Sequence, residues 1–439
     1  MVQRQSAEEE PQPGRPFTGT NVVRRNEYTG RYLVLLDLDD AESGMEALRS
    51  SVDIPMVEHV RGTEAESALR MLEDRHTSVV FRELGVAIVD VAPAQRHVLV
   101  RAAENHSSII AAEPERLSYA ASEHSMHAPA MAPTSFFPAY RSDEELLHQH
   151  STVMMAASLG PAWDESRYTW GLQAVRANLS AFTGRDIKVA VLSTGVDADH
   201  PDLSGRIAGT ASFVPGQTVE DGNGHGTHCI GTVGGPAHPQ QGPRYGVAPE
   251  AQILVGKVLS DRGKGSDGQI LAGIAWALSQ GAQVISVPLG ASVVPGQLFS
   301  AVFEAVAQRV VASGALIVAA AGNSGAPVDH PANCPSVLAV GALGKALAVA
   351  PFSNHAQLIG GEVDIVAPGV SVHSAQPSGG YGVFSGTSTA ASHVAGIAAL
   401  LAQQSPSLSV LDLKQQLISS ALRLTQSAES AGAGLVQAL

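Results

Sequence analysis

Three glycine-flanked segments carry residues able to do nucleophilic chemistry. The first, Val189-Ala-Val-Leu-Ser-Thr-Gly-Val-Asp-Ala-Asp-His-Pro-Asp-Leu203, is an apolar run ending in a serine and a glycine turn. The second, Gly222-Asn-Gly-His-Gly-Thr-His-Cys-Ile-Gly-Thr232, is a glycine-rich turn that enters a helical pattern. The third, Phe384-Ser-Gly-Thr-Ser-Thr-Ala-Ala-Ser-His-Val-Ala-Gly396, is a turn leading into an apolar helix. Such turns let backbone approach a ligand closely, as phosphate loops do. Neither glycine turn matches the dinucleotide fingerprint or carries a Gly-Lys-Ser/Thr, so nucleotide binding is not expected. A His and a Ser at helix starts make better sense as base and nucleophile. The positive helix end disfavours a protonated imidazole and favours negative charge developing on a hydroxyl. A serine at a helix start is by itself only a cap, but here three motifs occur together. Cys229 and Cys334 exclude a disulfide framework, and neither occupies a nucleophile motif. Cys229, four residues past His225, reads as a packed thiol.

The elements that must position these residues lie in the second half of the chain. From Glu165 to the C-terminus, continuous apolar runs at Ile187–Leu192, Gln252–Leu259, Ala282–Leu289, Ala315–Ala321 and Val337–Leu343 read as parallel strands covered on both faces. Helical patterns lie at Asp267–Gln280, Leu298–Ser313, Thr387–Gln404 and Val410–Leu422. The expectation is an α/β fold with a doubly wound parallel sheet over residues 165–439, whose function gathers where strand ends meet helix starts. Upstream, residues 28–120 read as a small α+β module in β-α-β-β-α-β order. Residues 1–27 read as a polar tail and 121–164 as a Met-, His- and Pro-rich linker. The linker's histidines, His148 and His150 among them, have no metal-site spacing and read as part of a solvated connector.

The bulk numbers bound the partners. The chain has 439 residues, 44% of them hydrophobic, and a net charge of −14. That charge argues against nucleic acid and anionic membrane as partners, since both favour a basic face. No apolar run is long enough to span a bilayer. The first residues lack the apolar stretch of a secretory signal, so the protein either starts in the cytoplasm or lost a leader upstream of this numbering. Localisation stays open.

The segments around His225 and Ser388, in this order, resemble the subtilisin-like (subtilase) family of serine proteases. The likeness runs from about Tyr168 to the closing Gly432-Ala-Gly-Leu-Val-Gln-Ala438. The resemblance implies peptide-bond hydrolysis through an acyl-enzyme, with Ser388 as nucleophile and His225 as general base. Asn323, in Ala319-Ala-Ala-Gly-Asn-Ser-Gly325, matches the family's oxyanion-hole amide, a donor that never titrates. The module at 28–120 resembles the family's propeptide, an intramolecular inhibitor that would make this chain a zymogen; a separate binding domain is the alternative.

One catalytic position departs from the family pattern. Where the family has Asp-Thr/Ser-Gly, this chain has Ser193-Thr194-Gly195. The missing carboxylate would hold the Nδ1–H of His225 and stabilise the imidazolium formed as Ser388 attacks. In a subtilisin its loss costs about 3 × 10⁴ in kcat, so impaired rather than absent activity is expected. Asp197 or Asp221 could substitute for it. The rival from another class is a catalytically silent pseudoprotease acting as a binding or inhibitory protein.

The resemblance also implies a substrate site. Substrate backbone would pair as an added strand with Val287-Pro288-Leu289-Gly290 and with the edge ending at Ala320-Ala321-Gly322. Pro288 stands where the family has serine and fits only if that position offers its carbonyl alone. Asp329 falls near the floor of the primary specificity pocket, which would favour Arg or Lys before the cleaved bond and make Arg116, Arg141 and Arg167 candidate processing sites. An exposed loop aspartate is the other reading. Asp202 matches a calcium ligand of some relatives, but the following loop, residues 234–246, lacks the expected asparagine, and a hard cation wants six or more oxygens. No cofactor is therefore expected, and calcium is left uncommitted.

Overall fold

The computed structural model describes residues 27–52, 57–72, 78–121, 123–124, 161–357 and 361–438. The tail and nearly all of the linker, including Arg141, His148 and His150, lie outside them.

The N-terminal unit runs β1 (Tyr28–Leu36), α1 (Ala41–Ser51), β2 (Val57–Val60), α2 (Ala65–Met71), β3 (Ser78–Phe81), β4 (Val86–Val89), α3 (Arg96–Asn105) and β5 (Ile109–Ala120). The sequence reading lacks β2: four residues with Glu58 and His59 at their centre carry no strand pattern, and only pairing with β3 makes them one. Alternation along these strands separates two faces, because successive side chains point to opposite sides. Val34, Leu36, Val80, Ala87 and Val89 pack with Met45, Leu48 and Leu99 of α1 and α3. Leu33, Leu35, Val79, Phe81, Val86 and Ile88 point the other way and join the core of the larger unit. The sheet is thus buried on both faces only while the two units are together.

A two-residue strand, β6 (Glu123–His124), precedes the larger unit. That unit lays down β7 (Lys188–Ser193), β8 (Ile207–Ser212), β9 (Gln252–Lys257), the short β10 (Lys264–Ser266), β11 (Val284–Val287), the two-residue β12 (Leu289–Gly290), β13 (Leu316–Ala320), β14 (Leu338–Leu343), β15 (Ile365–Pro368) and a hairpin of β16 (Val372–Gln376) and β17 (Gly380–Ser385). Its main sheet is seven-stranded and parallel in the order β15-β14-β13-β11-β7-β9-β8. This is the α/β architecture expected. The central helix Thr387–Gln404 is buried from Thr387 to Leu401, polar in its first two turns and apolar from Val394 to Leu401, as a helix passing through a core must be. Among the described residues no helix is long and apolar enough to cross a membrane.

Two carboxylates dock the N-terminal unit at helix starts. Glu115 accepts from Gly268 N at 2.9 Å in the first turn of the Asp267–Ser279 helix, and Arg31 holds its other oxygen at 2.6 Å. Glu113 accepts from Ala301 N at 2.7 Å and from the cap Ser300 Oγ at 2.6 Å at the Ala301–Ala312 helix. Each anion meets unpaired N–H groups at a positive helix end. Gly268 permits the approach, since a Cβ there would lie 2.6 Å from Glu115 Oε1 and 2.7 Å from Ile88.

Candidate active site

The strand β7 ends at Ser193, whose Oγ lies 2.7 Å from Nδ1 of His225, with both residues 1% exposed. His225 is the first residue of the His225–Gly234 helix, and the turn before it uses Gly224 at φ 97°. Gly226 lets this turn close on the strand end, because a Cβ would sit 2.1 Å from the carbonyl oxygen of Gly195. Thr194 Oγ1 accepts from Gly226 N at 2.8 Å and donates to Asp221 at 2.8 Å, tying strand to helix. On β9, the fully buried Lys257 donates to Thr194 O, to Glu220 O at 2.9 Å and to Asp261 Oδ1 at 2.6 Å. The sequence reading missed Lys257; it sits in an otherwise apolar strand, a placement that signals a committed charge.

Neither alternative carboxylate serves the imidazole. Asp221 takes five donors: Thr194 Oγ1, Asn223 N and Gly224 N on one oxygen, Thr227 N and Oγ1 on the other. Burial pushes its pKa up, but these bonds outweigh it and hold the carboxyl below the usual range. Asp197 accepts from Asp199 N at 3.1 Å and Gly379 N at 3.2 Å. Cys229 Sγ is 3.8 Å from His225 Nε2, and burial pushes its thiol up to about 12, so it is a packing neighbour rather than a thiolate.

Ser388 is the second residue of the central helix, directly behind Gly386-Thr387. Its backbone N donates at 3.2 Å to the carbonyl oxygen of Ala121. Asn323 Nδ2 donates to the same oxygen at 2.6 Å. The amide is aimed by Thr387, whose N and Oγ1 donate to Asn323 Oδ1 at 2.8 Å and 2.9 Å, a role the sequence reading did not assign. The Ser388 hydroxyl is buried and makes no hydrogen bond to any described group, His225 included. The two helices still meet there: Cys229 contacts the hydroxyl of Ser392, which donates to Ser388 O at 2.9 Å. Nucleophile–base bonds are often long before reaction and tighten along its path.

The carbonyl at this point belongs to the chain's own backbone. β5 leaves the N-terminal unit and lies between β10 and β12, pairing Leu117, Ser118 and Tyr119 with Ser266, Gly265 and Lys264, and Tyr119 and Ala120 with Gly290 and Leu289. Ala120 N donates to Gly263 O at 3.0 Å and Ala121 N to Pro288 O at 3.4 Å. Pro288 therefore offers its carbonyl alone, as the missing N–H requires. Beyond Ala121, β6 pairs with β17, Glu123 opposite Ser385 and His124 opposite Phe384.

Two sequence expectations need correction. The second edge is Gly263–Ser266, not Ala321 and Gly322. Ala321 spends its groups on Val340 O and Asp329 N, and Gly322 on Thr387 Oγ1 and Asn354 N. The signal for this edge is the glycine-containing run Gly263-Lys-Gly-Ser266 ahead of a capped helix. Nor does a described arginine sit at the carbonyl. Arg116 lies upstream against Asp267, and Arg167 is exposed, 5.6 Å from the Tyr168 ring.

Asp329 is a buried residue, not an exposed loop aspartate. Its Oδ1 accepts from Asn354 Nδ2 at 3.0 Å. It lies between Gly290 and Gly322: a Cβ on either would come within 3.0 Å of Asp329 atoms. Burial pushes its pKa up to about 7, against the pull of the Asn354 bond. The folded chain thus keeps a proton that the unfolded chain loses near pH 4. Stability falls as pH rises through that window to about 7 and is flat above it, a loss of about 4 kcal/mol. Asp329→Asn is expected to melt higher than the parent at pH 8 and to lose that advantage at pH 5. Equal differences at both pH values would contradict this.

Asp202, which matches a calcium ligand of some relatives, is engaged by hydrogen bonds here. Asp202 Oδ2 accepts from Tyr245 and Tyr381 hydroxyls, both at 2.8 Å, and Oδ1 accepts from Gln240 N at 2.8 Å. Three donors thus take most of the lone pairs of this carboxylate.

Comparisons with known proteins bear on this arrangement. Residues 184–434 match the model of the subtilase family. Subtilisin NAT of Bacillus subtilis subsp. natto is 39% identical over 268 residues, 59% of this chain and 67% of that protein. Alkaline elastase YaB of Bacillus sp. (strain YaB) is 42% identical over 274 residues, 61% of this chain and 68% of that protein. Subtilisin Savinase of Lederbergia lenta is 42% identical over 274 residues, 61% of this chain and 96% of that protein.

Proposed function

Because the chain belongs to the subtilase family of serine proteases, we propose that it is a slow zymogen whose own Ala121–Ser122 bond is the first substrate of Ser388. As a subtilisin-like serine endopeptidase it acts on protein substrates. The observation that carries the finer reading is the Ala121 carbonyl, held by Asn323 Nδ2 and Ser388 N while the chain runs through the cleft on both sides.

The step balances as follows. Ser388 Oγ attacks the Ala121 carbonyl carbon and gives its proton to His225 Nε2. Negative charge moves to the carbonyl oxygen, where the two N–H donors are aimed before reaction begins. Collapse breaks the Ala121–Ser122 bond, the proton passes to the departing amine, and water then releases Ala121 as a carboxylate. The unit at 28–120 is a propeptide that continues to fill the cleft through β5, an inhibitor by occupation.

Ser193 stands at the place of the family's base-orienting aspartate. Its hydroxyl weakens catalysis twice. It carries no charge to stabilise an imidazolium, and unlike a carboxylate it can also donate to Nδ1. Donation leaves the proton on Nε2, the tautomer that cannot take one from Ser388. A typical kcat near 10 s⁻¹ reduced about 3 × 10⁴-fold gives a half-life on the order of an hour. Asp329, buried beside Gly290 and Gly322, would favour Arg or Lys at P1 of later substrates, a preference that the Ala121 bond does not use.

The rival is a silent binding protein on the same fold. A fluorophosphonate probe is expected to label self-processed Ser193→Asp chain at Ser388 and to leave its Ser388→Ala counterpart unmarked. An unlabelled and inert Ser193→Asp chain would favour the binder.

A further inference from the structure

Asp267 opens the Asp267–Ser279 helix and is wholly buried. Its Oδ2 accepts from Arg116 N at 3.0 Å and lies 3.7 Å from the guanidinium Nη1 of the same residue. Its Oδ1 is 3.2 Å from His330 Nε2. The Arg116 side chain is only 9% exposed, and Glu113 of its own strand is 3.4 Å from the guanidinium. Counted back from Ala121, Arg116 is the sixth residue before the bond.

We propose that Asp267 is a specificity residue that selects a cationic side chain at the sixth position before the cleaved bond, an inference that rests on the reading of Ser388 and Ala121 given above. Its two contacts to Arg116 differ in kind. Any residue but proline supplies the backbone N–H, so that bond holds register without discriminating. The guanidinium contact belongs to the side chain. Without the guanidinium this buried carboxylate keeps only the backbone N–H and His330 as partners, and a substrate acid there would bring like charges together. The antiparallel pairing of Ser266 with Leu117 fixes the register, so the sixth residue always arrives beside Asp267.

The test uses the full chain carrying Ser193→Asp after self-processing, and the peptide Glu-Arg-Leu-Ser-Tyr-Ala-Ala-Ser-Glu-His, which lacks the Glu113 counterpart. Replacing its arginine by glutamine is expected to lower kcat/KM about tenfold, and by glutamate further. With Asp267→Asn, the arginine and glutamine peptides should fall within about twofold of each other. A structural role alone would lower cleavage of both peptides and keep their ratio. Equal kcat/KM for the two peptides with Asp267 intact overturns the inference, even if Asp267→Asn does not fold, and so does a preference that survives Asp267→Asn. If no peptide is cut at its Ala-Ser bond, the catalytic reading fails and this one with it.

Discussion

Ser193→Asp is expected to raise kcat for peptide hydrolysis by about 10⁴, with little change in KM. The reason lies in one contact, the 2.7 Å approach of Ser193 Oγ to His225 Nδ1. A carboxylate only accepts there, so it fixes the proton on Nδ1 and leaves Nε2 free to receive one. It also adds a negative charge beside the imidazolium as that cation forms. The second effect exists only on the way to the transition state, so it belongs in kcat. Ser193→Asn separates the two, since an amide brings size and polarity without charge, and it should give no comparable gain. A change of less than about tenfold in Ser193→Asp would mean that the site does not run on an imidazolium at residue 225.

Asn323→Ala, made in the Ser193→Asp background so that rates can be measured, is expected to cost about 10²–10³ in kcat. Asn323 Nδ2 already stands 2.6 Å from the Ala121 carbonyl oxygen, where negative charge develops. Ser388 N, the second donor, stays in place, so activity is lowered rather than lost. Thr387→Val should fall between parent and Asn323→Ala, because it removes the hydroxyl that helps turn the amide toward the substrate. A rise in KM with kcat unchanged would show that Asn323 only binds the ground state.

How much of this was legible in the sequence depended on whether the signal was local. The central strands announced themselves because burial on both faces demands unbroken apolar runs, as in Val189-Ala-Val-Leu192. The edge strand β8, Ile207-Ala-Gly-Thr-Ala-Ser212, is half exposed and built of small residues, so it leaves no such run. His225 and Ser388 stood out through the glycine turns that lead into helices, and Asn323 only through its likeness to the family's motif. The fate of Asp221 did not, because its five donors become visible only when Thr194 and Thr227 converge on it. Likewise nothing in Ala120-Ala-Ser122 marks a processing bond. The Ala121 carbonyl reaches Asn323 through backbone pairing of its strand with residues more than a hundred positions away. Charge at Asp329 pointed instead to arginines, none of which is found at the carbonyl among the described residues.

The most direct test is the intact mass and new N-terminal sequence of the purified Ser193→Asp chain beside the same chain with Ser388→Ala. The account predicts one early break, leaving Ser122 as the new N-terminus, and an unbroken chain when Ser388 is gone. A first break at any other bond, or the same break persisting in Ser388→Ala, would contradict it.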